Sequence, residues 1–480
     1  METNLSKINQ FSSGAFIINS VRENFSPFES NDELFLTQAN STILKSEIIK
    51  LIENSKSVIK VCSFIITDKE IFEVLMRRAK ESQVAIFILT QLDPSKLSNN
   101  VFLTEEENKE QTQNIHLTYI KHLYDNGVHV RASTSAHAKF IISDRKIGFL
   151  MSANITTPSL TLNTESGIYI DTESVIQLDC LFDLIFLKGT TYRQYIAASV
   201  KGKQLVVQNE SGVKPNWLPT TENFSVKYTY ENITSNLLDS IINVVESAKE
   251  FLYISSYSIV GLNNIPKLTN ALKEASARGV DINVFCRGMN YRLDHLKGCN
   301  EFHSIGIKIY GDIYNHSKGI LNEHEGLLFT ANIDGNHGLI NGFEVGSFLT
   351  KNQHEVFLNF HKHLISTSPF IFKSSPTRND LFEMYQTLEK AKGITPPIFD
   401  EDLTINIKPG VIVKKEELEA QPIFYVRLKE GAFEEFLLVG VSCYKVYYKN
   451  GCFLISENAR MNYHSDKYIL RYNNLKIIYN

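Results

Sequence analysis

Two short constellations in this chain match one another. His137-Ala-Lys139 is followed by Ser152-Ala-Asn154, and His316-Ser-Lys318 is followed by Thr330-Ala-Asn332. The hydroxyl residue comes fifteen residues after the first histidine and fourteen after the second. Residues two apart on an extended strand face the same way, so each imidazole projects with an ammonium and each hydroxyl with an amide. Among 13 histidines in a Lys-rich chain, about one H-x-K is expected by chance. His295-Leu-Lys297 is such a decoy, with no Ser/Thr-x-Asn at the matching distance. A duplicated pair requires a fold that is itself duplicated.

The repeat extends upstream of both motifs. Gly127 and Gly306 each stand ten residues before a histidine inside a β-like stretch. Helical patterns at Ile48, Ile49, Ile52 and at Ile241, Ile242, Val245 run into the apolar strands starting at Val58 and Phe251. A second helix and strand follow in each copy: Phe72 to Ser82 with the strand from Val84, and Ile265 to Arg278 with the strand from Val280. The expected fold is α/β, with two α/β/α halves related by a pseudo-twofold axis and the histidines meeting at their interface. Residues 1–199 form the first half, with an insertion at 92–118 that the second half lacks and that carries the acidic run from Thr104 to Glu110. Residues 200–232, rich in Gly, Asn, Ser, Thr and Pro, read as a linker, 233–378 as the second half, and 379–480 as a helix followed by a small β-rich module.

The pattern H-x-K-x(4)-D with a following G/S-x-N resembles the phospholipase D superfamily. The first copy is His137, Lys139, Asp144, Gly148, Ser152 and Asn154, then Glu165 eleven residues on. The second is His316, Lys318, Glu323, Gly326, Thr330 and Asn332, then Glu344 twelve residues on, and departs from the pattern in having Glu323 where the family has Asp. The resemblance covers about residues 35 to 365. It implies one active site built from both motifs, with His137 the nucleophile and His316 the acid. Glu165 and Glu344 are expected to orient the imidazoles, and Asp144, Ser152, Glu323 and Thr330 to support the site.

These residue types suit a phosphodiester. An anion that resists nucleophiles needs cations and donors for its non-bridging oxygens, here Lys139, Lys318, Asn154 and Asn332. One neutral imidazole attacks phosphorus while a protonated one hands a proton to the leaving oxygen. No metal and no cofactor is called for, since these groups fill the roles a divalent ion would take. Ser152 and Thr330 could bond phosphate or satisfy backbone, and Asp144 and Glu323 are as well placed to accept a backbone amide as to act in catalysis.

Composition bounds the rest. A formal net charge of −4 gives no global basic signature, so a nucleic-acid surface would have to be local. The first 30 residues lack a signal-peptide pattern and no apolar run approaches 18 residues, so a cytoplasmic chain without stable membrane insertion is expected. Six cysteines without C-x-x-C read as reduced thiols. From Leu437 onward there are six Lys/Arg against two Asp/Glu, interleaved with Tyr444, Tyr447, Tyr448, Tyr463, Tyr468 and Tyr472. That mixture suits single-stranded nucleic acid, or equally a packed barrel or protein interface.

The resulting expectation is a metal-independent nuclease acting through phosphohistidine in a defence or DNA-processing system. The chain has no G-x-x-x-x-G-K-[ST], so directed activity would take a helicase or ATPase partner, whereas an oligomer is not needed to complete the site. A soluble phospholipase D or phosphatidyl transferase is the alternative, and a non-catalytic protein that binds phosphate backbones the third.

Overall fold

The computed structural model describes residues 14–376 apart from 82–83, 93–108, 190, 197–204, 208–224 and 290–291, together with Asp380 and the backbone of strands between 405 and 479. Residues 22–287 and 305–368 make one compact unit, and 1–21, 288–304 and 369–480 contribute to another. Both motifs lie in the first unit.

In the first half the chain runs β1 (Phe35–Thr37), α1 (Ile43–Asn54), β2 (Val58–Cys62), α2 (Lys69–Ala79), β3 (Ala85–Thr90), α3 (Lys109–Asp125), β4 (His129–Ala132), β5 (Phe140–Ser143), β6 (Ile147–Met151), β7 (Glu165–Ile170) and α4 (Thr172–Lys188). Helix α1 buries Leu44, Ile48, Leu51 and Ile52, the spacing of one apolar stripe. Strand β2 is buried from Ile59 to Cys62, as a central strand covered on both faces should be. Its Lys60 is buried too, and bonds Asp179 of α4 at 2.5 Å, which ties that helix to the sheet.

The second half repeats this path: β8 (Val226–Tyr230), α5 (Asn236–Ser247), β9 (Phe251–Ser256), α6 (Pro266–Ala277), β10 (Asp281–Arg287), β11 (Lys308–Asp312), β12 (Gly319–Asn322), β13 (Gly326–Phe329), β14 (Phe343–Phe348) and α7 (Lys351–Ser366). Sheet order is β4-β3-β2-β5-β6-β7-β1 in the first half and β11-β10-β9-β12-β13-β14-β8 in the second, the same order strand for strand. Directions agree as well. β2, β3 and β4 are mutually parallel, as are β9, β10 and β11, and the remaining pairs in both orders are antiparallel. Gly127 and Gly306 take φ of 88° and 91° at the turns into β4 and β11, a conformation that costs other residues strain. One buried apolar cluster takes Leu36, Phe140 and Leu150 from the first half and Tyr228, Leu328, Phe343 and Phe357 from the second, so the halves share a core.

Three expectations need correction. The H-x-K segments are not inside strands. They precede β5 and β12, because at the histidine the backbone turns to the other half: His137 N donates to Phe343 O at 3.3 Å and His316 N to Thr164 O at 3.0 Å, and only the lysine carbonyls return to their own sheet, Lys139 O accepting from Met151 N at 3.1 Å and Lys318 O from Phe329 N at 3.3 Å. The insertion is shorter than 92–118, since residues 109–125 form α3 and the second half has its own helix, Leu293–Ser304, at the corresponding point. The acidic run falls largely outside the described residues. Val226–Tyr230, within the stretch read as a linker, is a strand paired antiparallel with Phe343–Phe348 and buried at every position but Lys227.

The C-terminal segment is β-rich. Ile423–Leu428, Glu434–Val439, Ser442–Lys449 and Cys452–Ser456 pair in antiparallel succession, as do Arg460–His464, Lys467–Tyr472 and Leu475–Tyr479. The side chains of its six interleaved tyrosines lie outside the described set. Among the described cysteines, Cys62, Cys180, Cys286 and Cys299 are in no disulfide, and no described helix is long and apolar enough to cross a membrane.

His116 of α3 and His361 of α7 are buried neutral imidazoles. His116 Nε2 meets Gln91 O at 2.8 Å and its Nδ1 accepts from Ile66 N at 3.1 Å. His361 bonds Phe357 O at 2.9 Å and Ser255 Oγ at 3.0 Å. Burial pushes each down to about 4. The unfolded chain therefore binds more protons than the folded one between pH 6.5 and 4. Their contribution is complete above the unfolded value and is lost as pH falls toward 4, roughly 3 kcal/mol per residue at the extreme. The thermal midpoint should fall across that window by calorimetry; a midpoint flat from pH 7 to 4 would contradict this account.

Candidate active site

The two motifs are brought together by a reciprocal exchange. His137 Nδ1 lies 2.5 Å from Glu344 Oε1, and His316 Nδ1 lies 2.7 Å from Glu165 Oε1. Each glutamate thus serves the histidine of the other half. Backbone bridges Ala136 to Phe343 and Thr164 to Asn315 flank the pairs and hold the motif segments against one another. With Nδ1 committed to a carboxylate, each imidazole has Nε2 left for chemistry. The His137 side chain is 25% exposed and that of His316 13%, whereas Glu344 and Glu165 are at 1% and 0%.

The carboxylates are anchored identically. Ser152 Oγ donates to Glu165 Oε2 at 2.6 Å and accepts from Ser166 N at 3.0 Å; Thr330 Oγ1 donates to Glu344 Oε2 at 2.5 Å and accepts from Val345 N at 3.0 Å. The hydroxyl residues therefore orient the glutamates. Asp144 and Glu323 do something else. Asp144 accepts from the backbone amides of Lys56, Ser57 and Val58 at 2.7–3.1 Å, and Glu323 from Lys249 N at 2.7 Å and Glu250 N at 3.4 Å. Both tie the turn after β5 or β12 to the start of the central strand, and although burial would raise the carboxyls, the amides they accept from hold them below the usual range. A glutamate at 323 reaches the same partners, so the departure from aspartate leaves the clamp intact.

Lys139 and Lys318 are fully buried. Lys139 Nζ donates to His137 O and lies 3.2 Å from its Nδ1, and Lys318 Nζ donates to His316 O at 2.7 Å. Burial lowers both ammonium groups, Lys318 to about 7, with Glu165 pulling it up and Lys139 pushing it further down. Burial also lowers both imidazoles, His316 to about 3, where Glu165 opposes the shift and Lys318 adds to it. Burial would raise the Glu344 and Glu165 carboxyls, but the facing imidazoles, the lysines and the hydroxyls hold both below their ordinary value. Asn154 and Asn332 each keep a buried Oδ1 without a hydrogen-bond partner among the described residues. An amide end so placed is expensive unless a ligand meets it.

Sequence reasoning missed the walls. Phe64 meets the His137 ring edge-on at 5.5 Å, and Tyr257 meets that of His316 at 5.2 Å. The residue before each aromatic secures the Asn loop, with Ser63 Oγ accepting from Ile155 N at 3.2 Å and Ser256 Oγ from Ile333 N at 3.0 Å. Aligning Cys62-Ser-Phe with Ser255-Ser-Tyr would have exposed both pairs. His295 and Lys297 lie on a helix, where residues two apart diverge.

Residues 48–184 match the family described as cardiolipin synthase, PLD-like domain. No curated protein matches the chain. Among solved structures, phosphatidylserine synthase of Haemophilus influenzae Rd KW20 is 15% identical over 81% of this chain and 95% of its own, with a TM-score of 0.49. Polyphosphate kinase of Porphyromonas gingivalis is 12% identical over 71% and 50%, with a TM-score of 0.46. The phospholipase D family member Nuc of Salmonella typhimurium is 21% identical over 30% and 97%, with a TM-score of 0.26.

Proposed function

We propose that this chain, phospholipase D-like over residues 48–184, is a metal-independent phosphodiesterase that cleaves DNA or RNA through a phosphohistidine. The observation that carries the reading is the reciprocal pair of His–Glu contacts closed around two buried lysines. His137 Nε2 attacks phosphorus. His316 protonates the oxygen that departs, then as a neutral base takes a proton from the water that attacks the phosphohistidine, and His137 leaves unchanged. Lys139 and Lys318 neutralise the non-bridging oxygens, where charge accumulates in the transition state. The basic, tyrosine-rich composition beyond Leu437 supports nucleic acid as the substrate. The description of the matched family supports a second reading, phosphatidyl transfer, in which an alcohol replaces that water.

Labelled single-stranded DNA, duplex DNA, RNA and phosphatidylglycerol with glycerol, each incubated with EDTA, separate these readings. Cleavage of a nucleic acid in chelator is expected. Turnover of lipid alone supports the second reading, and loss of all activity in EDTA with recovery on Mg²⁺ removes the histidine mechanism.

Lys318 makes the reaction pH-dependent. Its ammonium must be charged to hold phosphate, and it loses its proton as pH rises through about 7 in the empty site. kcat/KM should therefore fall above that pH. A bound anion raises the same group, so the alkaline limb of kcat should lie higher. Lys318→Ala should lower kcat by about 10³ at any pH in the profile. Alkaline limbs unchanged to pH 9, or turnover by the variant within tenfold of wild type, would count against this role.

A further inference from the structure

The halves differ in charge where they flank the histidines. Gln91 N donates to Phe64 O at 3.3 Å and Arg287 N to Tyr257 O at 3.2 Å, so Gln91 and Arg287 hold the same station at the ends of β3 and β10. The first half places a neutral amide and a phenyl ring there. The second places the Arg287 guanidinium 5.3 Å from the centre of the Tyr257 ring, whose edge contact with His316 is at 5.2 Å. Arg287 is 8% exposed, less hidden than the two motif lysines at 0%, and it helps push Lys318 down. The carboxylate beside it is Asp312, its partner in the β10–β11 register.

We propose that Arg287 determines specificity by receiving a second phosphate of the substrate, the one on the leaving nucleotide next to the scissile group. The assignment rests on the nucleic-acid reading and deepens it. A nucleic-acid strand carries a phosphate at every nucleotide, whereas a lipid diester with a neutral headgroup carries one. A guanidinium fork matches a phosphate with two parallel donors, which a glutamine at the other station cannot do with charge. With His316 delivering the proton, the leaving nucleotide lies on the His316 side, where the cation is.

The test uses a thymidine dinucleotide with no terminal phosphate, with one at the 5′ end, and with one at the 3′ end. In the full-length protein one terminal phosphate should lower KM about tenfold, the effect of one charge-assisted contact. Arg287→Gln should erase that gain and leave KM for the unphosphorylated dinucleotide within about twofold, and Arg287→Lys should keep part of it. Should the glutamine variant not fold, the lysine variant and the loss of the gain on adding salt carry the same test. Equal losses on all three dinucleotides, a gain that survives in Arg287→Gln, or no gain in the wild type would overturn the assignment while leaving the nuclease reading in place. Turnover of bis(p-nitrophenyl) phosphate in EDTA, with no dinucleotide cleaved, would remove the nucleic-acid reading and the assignment with it.

Discussion

His137→Ala is expected to lower kcat on a natural diester by on the order of 10⁴ to 10⁶, the range seen when a nucleophile acting within a unit is removed. Its Nδ1 is committed to Glu344 at 2.5 Å, which leaves Nε2 for the proposed attack. Removing the ring leaves the Glu344 carboxylate bonded to Thr330 and near Lys139, so the buried charge keeps two partners. The stability cost should stay at about 1–3 kcal/mol, small beside the roughly 5.5 kcal/mol or more added to the barrier. Activated substrates should not rescue the variant, because no bond to phosphorus can form. Recovery of near wild-type rates on bis(p-nitrophenyl) phosphate would show that the attack comes from elsewhere.

His316→Ala should behave differently. A natural alkoxide leaves only with a proton, so the loss there should be about 10²- to 10⁴-fold. A p-nitrophenolate leaves without one, and the first bond-breaking step on that substrate should stay within about tenfold of wild type. Turnover then stalls at the second step, since the base for the attacking water is gone, and the first equivalent of p-nitrophenol should appear as a burst. The empty site holds His316 at about 3, below the range of a good acid at neutral pH. A bound phosphate anion raises it, so the wild-type acid is made in the complex and kcat should retain activity at pH values where the free imidazole is neutral. Equal losses on both leaving groups would remove the acid role.

Most of the constellation was legible because periodicity and spacing survive in one dimension. His137, Lys139, Asn154 and Glu165 fall at fixed offsets that recur at His316, Lys318, Asn332 and Glu344. What the offsets could not carry was partnership across the halves. Glu165 follows His137 in its own repeat, yet its carboxylate bonds His316, and the strands that bring them together are far apart in the chain. The helix at Lys109–Asp125 was hidden for a local reason. Its buried positions among the described residues are His116, Ile120 and Leu123, and a neutral histidine in a core site reads as polar in sequence. Phe64, Tyr257 and Arg287 were hidden in the opposite way, as the ends of apolar strands that look like core.

The proposed reaction requires a covalent intermediate on one histidine of a site shared by both halves. The measurement that reaches it most directly is acid-labile, base-stable phosphate located by mass spectrometry after brief reaction of bis(p-nitrophenyl) phosphate with His316→Ala in EDTA. A nitrophenyl phosphoryl adduct, or the phosphate left by its hydrolysis, on His137 is the predicted result, with none formed by His137→Ala. An adduct on His316 in the wild type, absent from His316→Ala, would reverse the two roles, and hydrolysis without an adduct in any of the three proteins would contradict the covalent mechanism.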